Sequence, residues 1–351
     1  MDQAKMVPLK KWFIRHRRCL PWRENHTPYR VWVSEVMLQQ TQVSVVIPYF
    51  NRWMERFPSV EVLAKASIEE VIKLWEGLGY YSRARNLHAG AQYICERYGG
   101  VLPEEKEELL KIKGLGSYTA GAIAAFAYRK KEAAVDGNVR RVLARFYAIE
   151  ESIDSPKVQR QLEELAMDLL PGDEPWLVVE GLIELGALVC QKVPHCFDCP
   201  LSSECKAYAK GIEKELPIRR KRAKTTALHR FVYVVRHGQD VMVRRESEGV
   251  MQDLWQFPFI EMQSARFEVG QLRQTIEKEV GGALIHMGDM GQIKHGFTRY
   301  QAHLYPHVWQ LDCVDQPSIN NYEWIPLDKL ALLPFCSGHR EICRNLLALK
   351  G

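Results

Sequence analysis

The sequence predicts two folded domains of different class, an all-α domain followed by a small α+β domain. From residue 8 to about residue 210, apolar side chains recur at helical spacing, as in PYRVWVSEVMLQQ and NVRRVLARFYAI, with Pro and Gly between the periodic stretches. Further along, FVYVVRHGQDVMVRR alternates as a strand does. A length of 351 residues with 46% hydrophobic content provides for two buried cores and excludes intrinsic disorder as the main state.

The boundary between the domains is predicted at a basic linker. Residues 211–228 hold a Pro, five clustered basic side chains and no apolar periodicity. The domains therefore span 1–210 and 229–351. In the second one we expect a hairpin around His237 to Asp240, a helix between Val269 and Val280, and a long strand in QAHLYPHVWQLDCV.

Charge and the N-terminal segment limit the function classes. Residues 1–226 carry 35 basic and 29 acidic side chains, a net charge of +6, whereas the remainder of the chain has a net charge of −1. A polyanion such as nucleic acid would therefore bind mainly to the first two-thirds. We expect no membrane association, since no apolar run approaches the roughly 18 residues of a span. A charged N-terminus instead of an apolar leader favours the reducing cytoplasm. The GK[ST], HExxH and GxSxG signatures are missing.

A glycine-rich turn is the first candidate for contact with a polyanion. In LLKIKGLGSYTAGAIAA, a helix end, a turn and a new helix follow one another. Gly114 and Gly116 allow positive φ and leave the amides at the start of the next helix, at Ser117, open to an anion. A phosphate oxygen suits such a turn, although an ordinary helical hairpin with a glycine cap explains the same pattern.

Two carboxyl groups in different settings are the candidates for chemistry. Asp136 precedes a helix, whose N-terminal amides and dipole favour the ionised form. Glu35 has apolar helical neighbours that favour the neutral acid by desolvation. Taken singly, one is a plain N-cap and the other a helix glutamate that reaches solvent. Together they form the pair that cleaves a glycosidic bond, a proton donor and a stabiliser of oxocarbenium charge.

Four cysteines crowd into sixteen residues and indicate a metal site. Cys190, Cys196, Cys199 and Cys205 read C-x5-C-x2-C-x5-C. Structural zinc more often presents two CxxC pairs, whereas this run holds one, so the spacing favours an iron-sulfur cluster over zinc. Free thiols remain the alternative.

Six segments together resemble a known family. VWVSEVMLQQTQV, WEGLGYYSRARNLH, KGLGSYTAGAIAA, AVDGNVRRVL, IELGALVC and the cysteine run are similar, in order and spacing, to the MutY-type adenine DNA glycosylases of the helix-hairpin-helix superfamily. The resemblance spans nearly all of residues 8 to 210. It implies excision of a flipped adenine mispaired with 8-oxoguanine or guanine in double-stranded DNA. It also implies a six-helix barrel at about 23–130 and an iron-sulfur subdomain from 1–22 plus 131–210.

The resemblance assigns catalytic roles residue by residue. Glu35 matches the general acid that protonates the imidazole-ring nitrogen of adenine, and Asp136 matches the carboxylate that stabilises the sugar cation. Tyr118 stands where related bifunctional enzymes carry a nucleophilic lysine, so we expect a monofunctional glycosylase without strand cleavage. We expect Tyr118 to orient Asp136, and Asn138 to hold the reacting sugar or water.

Recognition residues follow in the same way. Arg23 and Glu180 match contacts to the flipped adenine. The contacts around the opposing base are matched by Gln40, Thr41, Leu78 and Tyr80. The four cysteines match the ligands of a [4Fe-4S] cluster, although the family's first gap holds six residues where QKVPH supplies five.

The second domain resembles a Nudix fold that lacks the hydrolase box. DLWQFPFIE is similar to a Nudix element, but QLRQTIEKEVGG does not supply the run of glutamates that holds magnesium. In the family this domain recognises 8-oxoguanine through a Phe-Ser-His turn. Here the matching residues are Phe297, Thr298 and Arg299. A hydroxyl is retained, so we expect a weaker lesion preference, whereas a turn that only closes a hairpin is the alternative.

Three hypotheses about the function remain at this point. The first is adenine excision by a monomeric enzyme in the cytoplasm, with the nucleoid if the cell is bacterial. The second is a glycosylase of the same fold with another base choice, such as thymine. The third is a non-enzymatic iron-sulfur DNA-binding protein, which would need no paired carboxylates.

Overall fold

The protein has a helical N-terminal part and an α+β C-terminal part, as the sequence predicts. The computed structural model describes residues 2–220 and 225–348. Its α-helices are α1 Val7–His16, α2 Pro21–Glu24, α3 Pro28–Leu38, α4 Val43–Arg56, α5 Val60–Lys65, α6 Ile68–Trp75, α7 Ser82–Tyr98, α8 Lys106–Leu109, α9 Ser117–Phe126, α10 Gly137–Phe146, α11 Pro156–Leu169, α12 Pro175–Leu188, α13 Lys206–Lys210, α14 Val269–Val280 and α15 Ser337–Ala348. Its strands are β1 Thr226–His237, β2 Asp240–Arg245, β3 Trp255–Gln256, β4 Phe259–Met262, β5 Ala283–Asp289, β6 Ile293–Phe297, β7 Tyr300–Asp312 and β8 Glu323–Pro326.

Contacts divide the chain into two compact units. The first unit comprises Met1–Lys65 and Asn86–Lys221, and the second comprises Ala66–Arg85 and Arg222–Gly351. A division near residue 221 agrees with the predicted linker. The grouping of 66–85 with the C-terminal part differs from the predicted boundary, which placed these residues in the helical domain. The proposed barrel and iron-sulfur subdomain both lie in the first unit apart from this segment.

The core of the first unit is built around buried helices whose sequences suit close packing. Helix α9 is rich in alanine and is buried from Thr119 to Phe126. A Cβ at Gly121 would lie 2.1 Å from the carbonyl oxygen of Ala133, so only glycine permits this close approach of backbone to helix. Helix α3 packs against α9 and is buried at Tyr29 and from Val31 to Met37. Since α3 carries Glu35 and α9 carries Tyr118, this packing positions both side chains.

The second unit contains a mixed sheet with a hydrophobic cluster on each face. The strand order is β3-β2-β1-β7-β5, with β4 paired to β1, β6 to β7 and β8 to β2. Strands β1 and β7 are parallel, from the pair Thr226↔Tyr300 to the pair Arg236↔Gln310. Alternate residues of β1 enter opposite clusters: Val232 and Val234 one, Phe231 and Tyr233 the other.

The predicted second-domain elements are confirmed, and the linker is shorter than predicted. Strands β1 and β2 form the hairpin, with His237 paired to Asp240, and α14 has the predicted bounds. Residues 226–228 belong to β1 and not to a linker. Before it, Leu216 is buried and accepts a hydrogen bond from Arg145, so residues 211–220 pack on the first unit. Residues 221–224 lie outside the described ranges. Within those ranges, no helix combines the length and apolar character needed to cross a membrane.

Candidate active site

Both predicted catalytic carboxyl groups line one cavity in the first unit. The cavity has a volume of about 870 Å³. Its walls come from α2, α3, the segment after α3, the start of α9, the start of α10 and α12. Among the predicted residues, the lining includes Arg23, Glu35, Gln40, Thr41, Gly116, Tyr118, Asp136, Asn138 and Glu180.

Glu35 lies at the cavity wall as a buried acid in contact with a phenol. Glu35 is only 6% exposed, and this burial raises the pKa of its carboxyl group to about 7. The hydroxyl of Tyr118 donates to Oε2 of Glu35 at 2.5 Å. Burial and the charge of Glu35 hold the pKa of Tyr118 well above its usual range, so the phenol stays a donor. Near neutral pH, Glu35 is thus present substantially as the neutral acid, as predicted.

The contact of Tyr118 differs from our expectation. Its hydroxyl donates to Glu35 and not to Asp136, the residue that it was expected to orient. Tyr118 reaches Glu35 because α9, which begins with Ser117 and Tyr118, packs against α3. The sequence places Tyr118 directly after the hairpin, but which carboxylate it reaches depends on this packing.

Asp136 is the N-cap of α10, as predicted. Its Oδ1 accepts from the amides of Asn138 and Val139 at 2.9 and 2.7 Å, and its Oδ2 accepts from Nδ2 of Asn138 at 2.8 Å. Burial raises the pKa of Asp136, while these three donors oppose the rise. The amide oxygen of Asn138 accepts from Arg141 at 2.9 Å, so Arg141 fixes the amide group whose Nδ2 binds Asp136.

A network of two arginines and two glutamates closes another wall. Arg23 donates to Glu180 and to Glu184, both at 3.0 Å, and Arg18 donates to Glu184 from Nε at 2.6 Å. Burial alone would raise the pKa of Glu184, but the hydrogen bonds and charges of the arginines outweigh it and lower that pKa. Burial raises the pKa of Glu180, partly offset by Arg23. Sequence reasoning missed Arg18 and Glu184, although Glu180 and Glu184 are four residues apart on one helix face.

A third residue that sequence reasoning missed is His26. It lines the cavity, and burial together with Arg129, Arg23 and Arg17 lowers its pKa to about 4. The ring is therefore neutral near pH 7, and its approach to Glu180 at 3.9 Å is not an ion pair. No sequence pattern marks His26, because its lowered pKa depends on burial and on nearby arginines in the folded protein.

The two glycines of the hairpin differ in conformation. Gly114 has a φ of 89°, and a Cβ there would lie 2.6 Å from the Cβ of Asn86. Gly116 is extended, with a φ of −97°, so it does not use the positive φ that glycine allows. A Cβ at Gly116 would have no protein atom within 4 Å. The first glycine shapes the turn, and the second leaves open space in front of Ser117, the first residue of α9.

The predicted contacts to the opposing base lie partly in the second unit. Tyr80 lines a cavity of about 310 Å³ there, together with Phe297 and Thr298. Leu78 is in the same unit, whereas Gln40 and Thr41 belong to the first. Arg299 is exposed, and its guanidinium lies 5.2 Å from the ring of Tyr300. Thr298 has a φ of 48°, an unfavourable conformation for a β-branched residue.

The four crowded cysteines converge on one cavity. Cys190, Cys196, Cys199 and Cys205 all line it, and all are free thiols. In the described residues, no three His, Cys, Asp or Glu side chains are arranged around a single ion. Arg145 lies beside them, donating to Sγ of Cys190 at 3.3 Å and to the carbonyl oxygen of Gln191 at 2.6 Å. Four cysteine thiols that line one cavity are the donor set that iron-sulfur clusters take.

Comparison with known proteins identifies the family. A model described as HhH-GPD superfamily base excision DNA repair protein matches residues 33–167, and a NUDIX domain model matches 230–345. The adenine DNA glycosylase of Buchnera aphidicola subsp. Baizongia pistaciae (strain Bp) is 33% identical over 245 residues, 69% of this chain and 69% of that protein. The chain belongs to the adenine DNA glycosylase family. It is therefore a base excision repair enzyme, a monofunctional DNA glycosylase that acts on DNA.

One further relative and two solved structures match shorter stretches of the chain. The adenine DNA glycosylase of Mus musculus is 46% identical over 210 residues, covering 57% of this chain but only 41% of the mouse protein. A solved thermostable thymine-DNA glycosylase has a TM-score of 0.55 at 28% identity, covering 60% of this chain and 97% of its own. An endonuclease III–DNA complex has a TM-score of 0.51 at 22% identity and covers 61% of this chain and 99% of its own. This likeness concerns the fold alone.

The Nudix-like domain uses a glutamate of α14 for packing. Both oxygens of Glu279 accept from phenols, Oε2 from Tyr233 at 2.8 Å and Oε1 from Tyr322 at 2.9 Å. Ligation of a metal ion by this carboxylate would compete with both hydrogen bonds. The geometry thus gives Glu279 a structural role in this domain.

Proposed function

We propose that the enzyme excises adenine mispaired with 8-oxoguanine or guanine from double-stranded DNA. The observation that carries this proposal is the shared cavity of Glu35 and Asp136. One carboxyl group has a pKa of about 7, and the other is held by three N–H donors. A proton donor and an anion that face one cavity are what cleavage of an N-glycosidic bond requires.

The reaction begins with protonation of the base. Glu35, as the neutral acid, donates its proton to the imidazole-ring nitrogen of the flipped adenine, which makes the base a better leaving group. As the glycosidic bond breaks, positive charge develops on the sugar, and the Asp136 carboxylate stabilises it. Asn138 keeps that carboxylate oriented. Water adds to the sugar, and no amine is in the Tyr118 position to form a Schiff base.

The choice of adenine is proposed to come from the other wall of the cavity. Arg23 supplies donors, and Glu180, held by Arg23 at 3.0 Å, supplies an acceptor for the edge of the base. An adenine edge presents an exocyclic amino donor next to ring acceptors, which this pair complements. Gln40 and Thr41 line the same cavity and are proposed to act near the opposing base.

Recognition of the opposing base is proposed for the second unit. Leu78, Tyr80, Phe297, Thr298 and Arg299 are its candidate contacts, and three of them line the cavity of about 310 Å³. Thr298 provides a hydroxyl for the oxidised purine. Gly114, Gly116 and Ser117 are proposed to hold a phosphate of the DNA backbone.

A [4Fe-4S] cluster is proposed at the four cysteines. Cys190, Cys196, Cys199 and Cys205 would hold it, and its contribution would be to fix the loop structurally. We expect iron and sulfide at four atoms each per chain after anaerobic purification. Cys199→Ser should lower both, whereas Cys95→Ser, outside the run, should leave them unchanged. Wild-type protein without iron or sulfide would contradict the proposal.

The base choice is tested on duplexes that carry 8-oxoguanine:A, G:A, G:T or T:A. Excision should be fastest from 8-oxoguanine:A, slower from G:A and absent from the other two. Alkali treatment separates excision from direct nicking, which should not exceed background breakdown. Asp136→Asn should abolish excision and retain DNA affinity. Thymine release from G:T would favour the alternative glycosylase, in line with the thymine-DNA glycosylase likeness.

The proposed assembly and location follow from the substrate. We infer a monomer, since one chain supplies all candidate residues of the cavity. Acting on chromosomal DNA places the enzyme in the cytoplasm, with the nucleoid if the cell is bacterial. Sedimentation should give a single chain without duplex and one chain per DNA with duplex.

A further inference from the structure

We propose that Glu76 is a positioning residue for the opposing-base pocket and acts through Arg340. We define this pocket as the cavity lined by Gly79, Tyr80 and Tyr81 on one side and by 295–298, Cys336 and Ser337 on the other. All of these residues belong to the second unit. The inference rests on the proposed function, since it concerns how this pocket reads the opposing base.

The carboxylate of Glu76 is bound by two residues from the C-terminal part of the chain. Arg340 donates from Nε to Oε1 at 2.5 Å and from Nη2 to Oε2 at 2.8 Å, a bidentate pair. The amide of Phe335 also donates to Oε1, at 3.0 Å. Since Phe335 precedes Cys336, this hydrogen bond fixes the backbone that leads into one wall of the pocket.

Lys73 strengthens the same junction from the preceding turn of α6. Its ammonium donates to Oε2 of Glu76 at 2.9 Å and to the carbonyl oxygens of Ala331 and Leu333 at 2.7 and 3.0 Å. The Glu76 and Arg340 side chains are only 15% and 12% exposed. A charge pair so shielded is weakly screened by salt, and loss of one partner leaves a buried charge without compensation.

The other wall begins directly after Glu76 and needs anchoring. Gly77, Gly79 and Tyr80 have φ values of 103°, 72° and 49°, so this turn includes a tyrosine in the left-handed region. Arg83 holds the turn from one end, donating to the carbonyl oxygens of Leu78 and Gly79, both at 3.1 Å. Glu76 holds it from the other end. One carboxylate thus ties the turn with Tyr80 to the backbone before Cys336.

The expected consequence is a loss of discrimination with little loss of chemistry. Glu76→Gln keeps the side-chain shape but removes the charge that Arg340 and Lys73 face. The pocket walls should then separate or loosen, and the ratio of excision rates on 8-oxoguanine:A and G:A duplexes should fall on the order of tenfold. The change should appear as weaker binding of the 8-oxoguanine duplex, with the maximal rate on G:A within about twofold of wild type.

The test compares Glu76→Gln, Arg340→Met and the double variant with a matched control. Glu277→Gln is that control, because Glu277 also accepts from an arginine and a backbone amide, Arg273 at 2.8 Å and Leu284 at 2.9 Å. Single-turnover rates are measured over a range of enzyme concentrations, which separates duplex binding from the maximal rate, and the active fraction is taken from the burst amplitude in excess duplex. If Glu76 acts through Arg340, the double variant loses no more discrimination than Glu76→Gln alone.

Each outcome decides the proposal. A wild-type ratio in Glu76→Gln, or equal losses in Glu277→Gln, would overturn it. Additive losses in the double variant would overturn the route through Arg340. Should Glu76→Gln fail to fold, Arg340→Lys keeps the charge but not the bidentate geometry and must still lower the ratio. A wild-type enzyme without preference for 8-oxoguanine refutes the proposed function instead, before any variant is compared.

Discussion

Replacement of Tyr118 by Phe should shift the pH dependence of excision to higher pH. The phenol donates to Glu35, and this hydrogen bond lowers the pKa of a carboxyl group that burial raises to about 7. Catalysis by Glu35 needs its protonated form, so the wild-type rate should fall as pH rises through about 7. Without the donor, the ionised form of Glu35 loses support, and the fall moves upward in pH.

The size of the shift follows from the hydrogen bond. A hydrogen bond to a charged acceptor contributes about 1.5 to 3 kcal/mol. One pKa unit corresponds to about 1.4 kcal/mol, so the pKa of Glu35 should rise by about one to two units. The descending limb should therefore move to about pH 8 or 9. The amplitude of the rate can change as well, but the position of the limb is the quantity that reports on the hydrogen bond.

The assay is a single-turnover excision profile between about pH 6 and pH 10, with enzyme in excess over duplex. Tyr98→Phe serves as the control, since its phenol also donates to a glutamate, Oε2 of Glu108 at 2.8 Å, and does not line the cavity of Glu35. Its limb should stay at the wild-type position. A Tyr118→Phe limb that stays in place or moves to lower pH would refute the reasoning.

Three further predictions concern stability. Because the pKa of Glu35 is raised in the folded protein, its contribution to stability is lost as pH rises from its ordinary pKa of 4.5 through about 7. In urea unfolding, Glu35→Gln should be more stable than wild type by about 3 kcal/mol at pH 8 and equal to it near pH 4.5. Gly114→Ala should lower the free energy of unfolding by about 1 to 3 kcal/mol. Gly116→Ala should have the stability of wild type but bind duplex DNA several-fold more weakly. Equal melting temperatures of the two variants would contradict this. Thr298→Asn should raise stability by about 1 kcal/mol by relieving the left-handed conformation, and a lower melting temperature would argue against strain there.

Much of the fold could be predicted because local patterns decide it. Helix α14 has the bounds that its periodicity indicates, and the hairpin after β1 turns at the Gly-Gln pair, residues 238–239. Asp136 is an N-cap for the same reason, since its partners are two and three residues away. The burial of Glu35 also follows from its apolar neighbours along α3.

What the sequence did not show depends on contacts between distant segments. The partner of Tyr118 is 83 residues away, and no local signal distinguishes Glu35 from Asp136 as its acceptor. The pairing of Arg18 with Glu184 spans 166 residues. The extent of the linker was overestimated because its composition is polar, although Leu216 packs against the first unit.

The bonds between 66–85 and the end of the chain affect how the protein matures on the ribosome. Lys73 and Glu76 are synthesised 258 to 264 residues before Ala331, Phe335 and Arg340, which bind them. At bacterial or eukaryotic elongation rates, this separation lasts roughly ten to fifty seconds. During that interval the helical part of the nascent chain can compact, but the turn with Tyr80 waits for its anchors. A chain released before residue 331 would thus retain its catalytic acids but lack a complete pocket for the opposing base.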